Sequence, residues 1–279
     1  MKSAAPASVA ISVFFICVAI IPFCGDKRRP HCTLLPLLGT PPTIDSPCFL
    51  SKPAIANIVG YSSSALDDAG GAAAVAPQFT TVGSEAGIKL SDIEPVTETT
   101  TSLRRKIQIQ LLTSAGLKSA AYRWEGTGGK TWIAEKTTDD VGETVISSGT
   151  GLWVLNTANV ATSFRSAGQV GTSDIIQPLD DAGGAAMVGN SFPVAVKLKD
   201  IVPSTETTTA LRRKIQIQLL TPAGLKSAAY RWEGQGGKTW IAEKTTDDVG
   251  ETEIPAGQAM WVLNTANCAA TLRIPAPEL

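Results

Sequence analysis

Residues 123–132 read RWEGTGGKTW, and residues 231–240 read RWEGQGGKTW. Gly-Gly-Lys-Thr invites comparison with a loop that cradles nucleotide phosphates. Such a loop needs an earlier glycine, four residues, then Gly-Lys-Ser/Thr, set between a buried strand and the start of a helix. The position that should hold the earlier glycine is Trp124, and in the second copy Trp232. The following residues, TWIAEKTT, read as a strand and not a helix. Gly126, Gly128 and Gly129 therefore read as turn residues free to take positive φ between two strands, AYRWE and KTWIAE. GGKT is expected to be a hairpin turn, and no nucleotide partner is expected.

The recurrence is part of a larger repeat. Residues 98–159 align with 206–267 at a constant offset, with 53 of 62 positions identical. Upstream, ALDDAGGAAAV (65–75) matches PLDDAGGAAMV (178–188), and between the blocks the first copy carries five extra residues. Identity this high within one chain points to a recent duplication and a shared fold. In KIQIQLLT (106–113 and 214–221), Ile107, Ile109 and Leu111 alternate with Gln108 and Gln110. That period gives one face to a core and one to solvent. GLWVLNTAN and AMWVLNTAN read as a well-buried strand. Only LSDI and LKDI hint at a short helical turn. The expected fold class is all-β: two tandem homologous units, each a small sandwich or barrel, over 57–167 and 168–279.

The N-terminus is different in kind. Residues 1–25 hold one Lys followed by about twenty largely apolar residues, the layout of a secretory signal or an uncleaved anchor. Lys27, Arg28 and Arg29 follow, and Ala54-Ile55-Ala56 supplies an Ala-x-Ala directly before NIVGY. Residues 26–56, with six prolines between 30 and 53, read as a linker or pro-segment. Four of the five cysteines lie at 17, 24, 32 and 48, and only Cys268 lies in the body. There is no disulfide framework or Cys-x-x-Cys metal pattern there. Cys268 stands where the first copy has Val160, a swap that suits a buried, inert position.

Charge and composition exclude several classes. Residues 57–279 carry 19 positive and 23 negative side chains, so the body lacks the basic face that nucleic acid demands. His31, the only histidine, lies in the leader, which removes His-based triads, imidazole bases and His metal sites from the body. Asp139, Asp140 and Glu143 recur as Asp247, Asp248 and Glu251, and Asp67-Asp68 as Asp180-Asp181. They read as turn residues whose carboxylates accept local backbone N–H bonds. Ca²⁺ ligation or a glycosidase pair are the alternatives. No cofactor pattern is present.

All six Trp residues lie in the repeats, and Tyr122, Trp124, Trp132 and Trp153 recur as Tyr230, Trp232, Trp240 and Trp261. Two readings stand. Large aromatics fill cores, and Trp153, inside LWVLN, is the one expected to be buried. Alternatively Tyr122 and Trp124, with Trp132 across the hairpin, form an exposed row that stacks on sugar rings. Arg123, Glu125 and Lys130 would then serve the hydroxyls, and Tyr230, Trp232 and Trp240 would repeat the site. Trp124 and Trp132, beside a polar turn, are the candidates for exposure.

Several pieces together resemble a family of bacterial secreted tandem β-repeat proteins of uncharacterised function. They are ANIVGY (56–61), SAGQVGTSDI (166–175), VGNSFPVAVKLKDIVP (188–203), a central strand with Tyr-x-Trp, and IPAGQAMWVLN (254–264), with GNxFP and PGQGxWV-like signatures. The match covers nearly all of 54–279. The first copy departs from it, with APQF (76–79) in place of GNxFP. The resemblance implies export and an all-β body, and it carries over no catalytic residue. The expected function is an exported, non-enzymatic surface or extracellular protein with a structural or adhesive role. The alternative is polysaccharide binding through the hairpin aromatics. Expected partners are polysaccharide or cell-envelope components, with self-association through edge strands.

Overall fold

The computed structural model describes residues 59–66, 72–84, 86–96, 103–112, 118–158, 160–179, 184–205, 211–221 and 226–278, and the two-residue strand Phe14–Phe15. Most of the expected leader and linker, with Cys32, Cys48, Asp67, Asp68, Asp180 and Asp181, lies outside the described residues. Within them the regular structure is strand, broken by two 3₁₀ turns at Leu90–Asp92 and Leu198–Asp200, where LSDI and LKDI had hinted at them.

In the first repeat the strands are β1 (Val59–Leu66), β2 (Ala72–Val75), β3 (Gly87–Lys89), β4 (Ile93–Val96), β5 (Ile107–Leu112), β6 (Lys118–Thr127), β7 (Lys130–Ala134), β8 (Val145–Ser147), β9 (Leu152–Asn156) and β10 (Thr162–Gln169). In the second they are β11 (Ile175–Leu179), β12 (Ala185–Gly189), β13 (Val196–Lys197), β14 (Val202–Ser204), β15 (Ile215–Leu220), β16 (Lys226–Gln235), β17 (Lys238–Ala242), β18 (Glu253–Ile254), β19 (Ala259–Asn264) and β20 (Ala270–Ile274). Every pairing is antiparallel. A five-stranded sheet, β2-β9-β5-β6-β7, recurs as β12-β19-β15-β16-β17. The run β1-β10-β4 recurs as β11-β20-β14, and the pair β3-β8 as β13-β18. Registers recur too: Trp124 faces Trp132 as Trp232 faces Trp240, and Gln108 faces Arg123 as Gln216 faces Arg231. Phe14–Phe15 pairs with Tyr61 and Gly60 on the outer edge of β1.

Alternation builds the cores. Ile107 and Ile109 of β5 and Leu152 and Val154 of β9 are buried on the inner face of the five-stranded sheet. They join Leu66, Ile93 and Phe164 from the β1-β10-β4 sheet and Ile88 and Ile146 from β3-β8 in one cluster. The corresponding residues of the second repeat, with Cys268 among them, form a separate cluster. Sheets open at both ends that share an apolar interior are a sandwich and not a closed barrel. Strand β10 runs to Gln169, and residues 170–174 link the two sets of strands.

The two repeats solve one loop differently. In the second, the buried Asn190 of GNSFP donates from Nδ2 to Val194 O, Ile254 O and Pro255 O at 2.9, 3.1 and 3.1 Å. In the first, the longer loop is held by Gln169. Its backbone exchanges two hydrogen bonds with Thr80, and its side-chain oxygen accepts from Gly83 N–H at 3.1 Å. Both devices satisfy backbone groups that irregular chain would otherwise leave unpaired.

The outer face of the five-stranded sheet is not all solvent-facing. Ala74, Leu112 and Trp153 meet Met187, Leu220, Ala259 and Trp261 in a third apolar cluster between the repeats. Two isolated bridges, Val75 with Gln258 and Val188 with Thr150, close the edges of the two sheets against each other.

Candidate ligand-binding site at the hairpin

Strands β6 and β7 are joined by Gly128 and Gly129, with φ of 62° and 76°. Two successive positive φ values define the tight hairpin turn that suits the right-handed strand twist. The Lys130 ammonium donates to Thr138 O at 2.6 Å, and Lys238 to Thr246 O. Gly126 has φ 60°, and a Cβ there would stand 2.8 Å from the Trp124 Nε1. The Trp124 indole therefore lies over the Gly126 backbone, and Trp232 lies likewise over Gly234.

The expected exposed row is not present. Trp132 and Trp240 are wholly buried, and their Nε1 groups donate to Ile93 O and Ile201 O, both at 2.9 Å. The ladder is irregular between Trp124 and Thr127, and this sets which residue faces Trp132 across the hairpin. Trp124 and Trp132 meet edge-to-face at 5.3 Å and 71°, as do Trp232 and Trp240 at 5.3 Å and 69°. Trp124, Trp232, Tyr122 and Tyr230 are partly buried and pack against the same cores. Trp153, expected inside its own core, instead points outward to the seam, since Leu152, Val154 and Asn156 take the inner face of β9.

The polar groups are also engaged. Glu125 is 5 % exposed, and its carboxylate accepts from Arg104 Nε at 2.6 Å and Arg105 Nε at 2.8 Å. Arg104 and Arg105 hold the Glu125 carboxyl down at about 2. Glu233 repeats the arrangement: its bond to Arg213 lowers its pKa most, with Arg212 assisting against the opposing effect of burial. Arg105 sits at φ 58° while its N–H donates to Trp124 O at 2.6 Å, so the tight 103–106 turn is fastened to the hairpin. The LRRK tetrapeptides that carry these arginines were the legible but unused signal for a buried Glu125. Glu135 accepts from Lys118 at 2.8 Å and from Gln108 at 2.8 Å, and both lower its pKa.

The other carboxylates sit in turns. Asp139 accepts from Thr137 Oγ1 at 2.7 Å and Asp140 from Gly142 N–H at 3.0 Å, repeated at Asp247 and Asp248. Glu143 pairs with Lys89 at 2.6 Å, and Glu251 with Lys197 and Lys199 at 2.7 and 2.6 Å. Among the described residues no group of three or more His, Cys, Asp or Glu is placed to hold a metal. What remains for a ligand is the partly exposed Trp124 or Trp232. At the second hairpin there is also a shallow depression lined by Arg213, Glu233, Gln235, Gly236, Lys238 and Thr246. Comparison of the chain with protein-family models, curated proteins and solved structures gave no match.

Proposed function

We propose that this chain is an exported, non-enzymatic protein of the cell surface or extracellular space, with a structural or adhesive role and two tandem β units. The observation that supports it best is where the chemically capable side chains go. Glu125, Glu135, Glu143 and their second-copy equivalents are held in ion pairs, Asp139 and Asp140 in turns, and Trp132 in the core. Such a distribution serves a rigid β body more than a reactive cleft. Among the described residues no helix is long and apolar enough to cross a membrane. Export rests on the apolar leader sequence. The test is surface accessibility in bacteria expressing the full-length chain. Protease added to intact cells should degrade the protein, or it should be recovered from the medium. Recovery only from the cytoplasm contradicts the reading.

A second reading, polysaccharide binding, is favoured by one observation, the Trp124 and Trp232 side chains that remain partly exposed at the hairpins. A saturable fluorescence change with a polysaccharide, abolished by Trp124→Ala with Trp232→Ala, would establish it. No change across a broad panel would remove it.

A further inference from the structure

The seam between the repeats is assembled from corresponding residues on both sides. Val75 bridges Gln258 and Val188 bridges Thr150. Ala76 N–H donates to Gly257 O at 2.9 Å, and Gly189 N–H donates to Gly149 O at 2.7 Å. In the repeat alignment Val75 corresponds to Val188, Ala76 to Gly189, Gly149 to Gly257 and Thr150 to Gln258. Each contact therefore has its mate with the repeats exchanged, which is the mark of an isologous two-fold interface. Trp153 with Ala74, and Trp261 with Met187, form matching cross-strand pairs that face the seam.

The seam is also where the repeats have diverged. Of the nine differences within the 62 aligned positions, five fall between residues 147 and 152. These differences compensate across the interface. Gly151 N–H donates to Met187 O at 3.0 Å, and a Cβ on Gly151 would stand 2.5 Å from Met187 Cγ. At the mate position the residues are Ala259 and Ala74, in the same apolar cluster. The smaller residue of one position faces the larger of the other, and two intermediate ones face each other. A second asymmetry lies alongside: Gly149 N–H donates to Ser191 Oγ at 2.9 Å, whereas Gly257 packs against Gln78, the counterpart of Ser191.

We propose that the seam is a recognition surface whose partner is the opposite repeat and not another copy of the same one. Two first repeats would set Gly151 against Ala74 and leave a void on both halves. Two second repeats would drive Ala259 into Met187 on both halves. Voids and overpacking each cost stability, and a penalty built against the wrong partner is how an interface gains specificity. Two chains can then share this surface only by exchange, the first repeat of one on the second repeat of the other. That exchange either closes as a reciprocal dimer or runs on from chain to chain, according to whether both seams of a pair are shared by the same two chains.

The test uses the full-length chain with a protease site at Thr172-Ser173, both exposed in the link between the repeats. After cutting, the halves should remain one particle by light scattering. Cut protein with a tagged first half is then mixed with untagged cut protein. Capture should return untagged second halves and no untagged first halves. Capture of first halves by first halves, or separation of the halves on cutting, overturns the proposal. Gly151→Ala should weaken the pairing about tenfold, and adding Met187→Ala should restore it. Near-ultraviolet circular dichroism confirms that each half stays folded. Losses that simply add, with no rescue, also overturn the proposal.

Discussion

The β6–β7 hairpin and the seam loops of 147–152 and 255–260 have opposite histories in one molecule. The hairpin recurs with a single change, Thr127 to Gln235, and with the same register, the same buried indole and the same Glu–Arg fastening. The seam loops differ at five of six positions, yet each makes the matching contacts with the opposite repeat, 147–152 with Val188 and Gly189 and 255–260 with Val75 and Ala76. The difference separates two jobs. The hairpin organises its own repeat, where any change must suit the packing around Trp132 or Trp240. The seam joins two surfaces, so a change on one side is tolerable once the other side has answered it.

The largest effect separating these jobs should come from Trp132→Ala. It empties a fully buried site and orphans Ile93 O, so a loss of about 3–5 kcal/mol is expected in denaturant unfolding. Trp240→Ala should cost the same, because its burial and its bond to Ile201 O are the same. Unequal losses would break the claim that the hairpins are interchangeable.

Acid should act on the hairpins of both repeats. The Glu125 carboxyl is held at about 2 in the folded protein, below its ordinary value of 4.5, and Glu233 is lowered as well. A depressed carboxylate contributes stability that is present above the unfolded pKa and is lost as pH falls through the folded one. Stability should therefore fall between about pH 4.5 and about pH 2. Glu125→Gln with Glu233→Gln should flatten that fall. An unchanged acid limb would mean the Arg-Arg-Glu clusters do not hold the fold.

At the seam, Gly189→Ala should cost about 1–3 kcal/mol although it touches neither main core, because its Cβ would stand 2.3 Å from the Ala76 Cβ. At the hairpin, Gly128→Ala meets nothing within 4 Å and bears only the strain of φ 62°. Its cost should be smaller, about 1 kcal/mol. A seam glycine more tolerant than the turn glycine would contradict the close approach of the repeats. The smallest effect is expected at Gln78, whose buried Oε1 has no hydrogen-bond partner. Gln78→Ser, which copies Ser191, should leave the melting temperature unchanged or slightly raised.

The sequence was informative where local rules suffice. The missing glycine at Trp124 and the paired glycines before Lys130 identify the turn, and the Ile-Gln alternation places Ile107 and Ile109 inward. It was misleading where phase depends on an irregularity. A bulge between Trp124 and Thr127 decides which residue faces Trp132 across the hairpin, and its one mark in the sequence is Gly126, which takes positive φ there. Trp153 was legible in principle, since Leu152 and Val154 claim the inner face of β9 and leave Trp153 the outer one. Its partner, Trp261 with Met187 across the seam, could not be found from periodicity, because the contact joins residues of two separate sheets.

Hydrogen exchange on the intact chain, resolved to single amides, probes docking of the repeats most directly. The N–H groups of Ala76, Gly151 and Gly189 donate across the seam, to Gly257 O, Met187 O and Gly149 O. They should be protected to a degree approaching the β6–β7 and β16–β17 hairpins, which should in turn exchange alike. Seam amides that exchange as fast as open loops, while the hairpins stay protected, would show that the two repeats fold alike but do not dock.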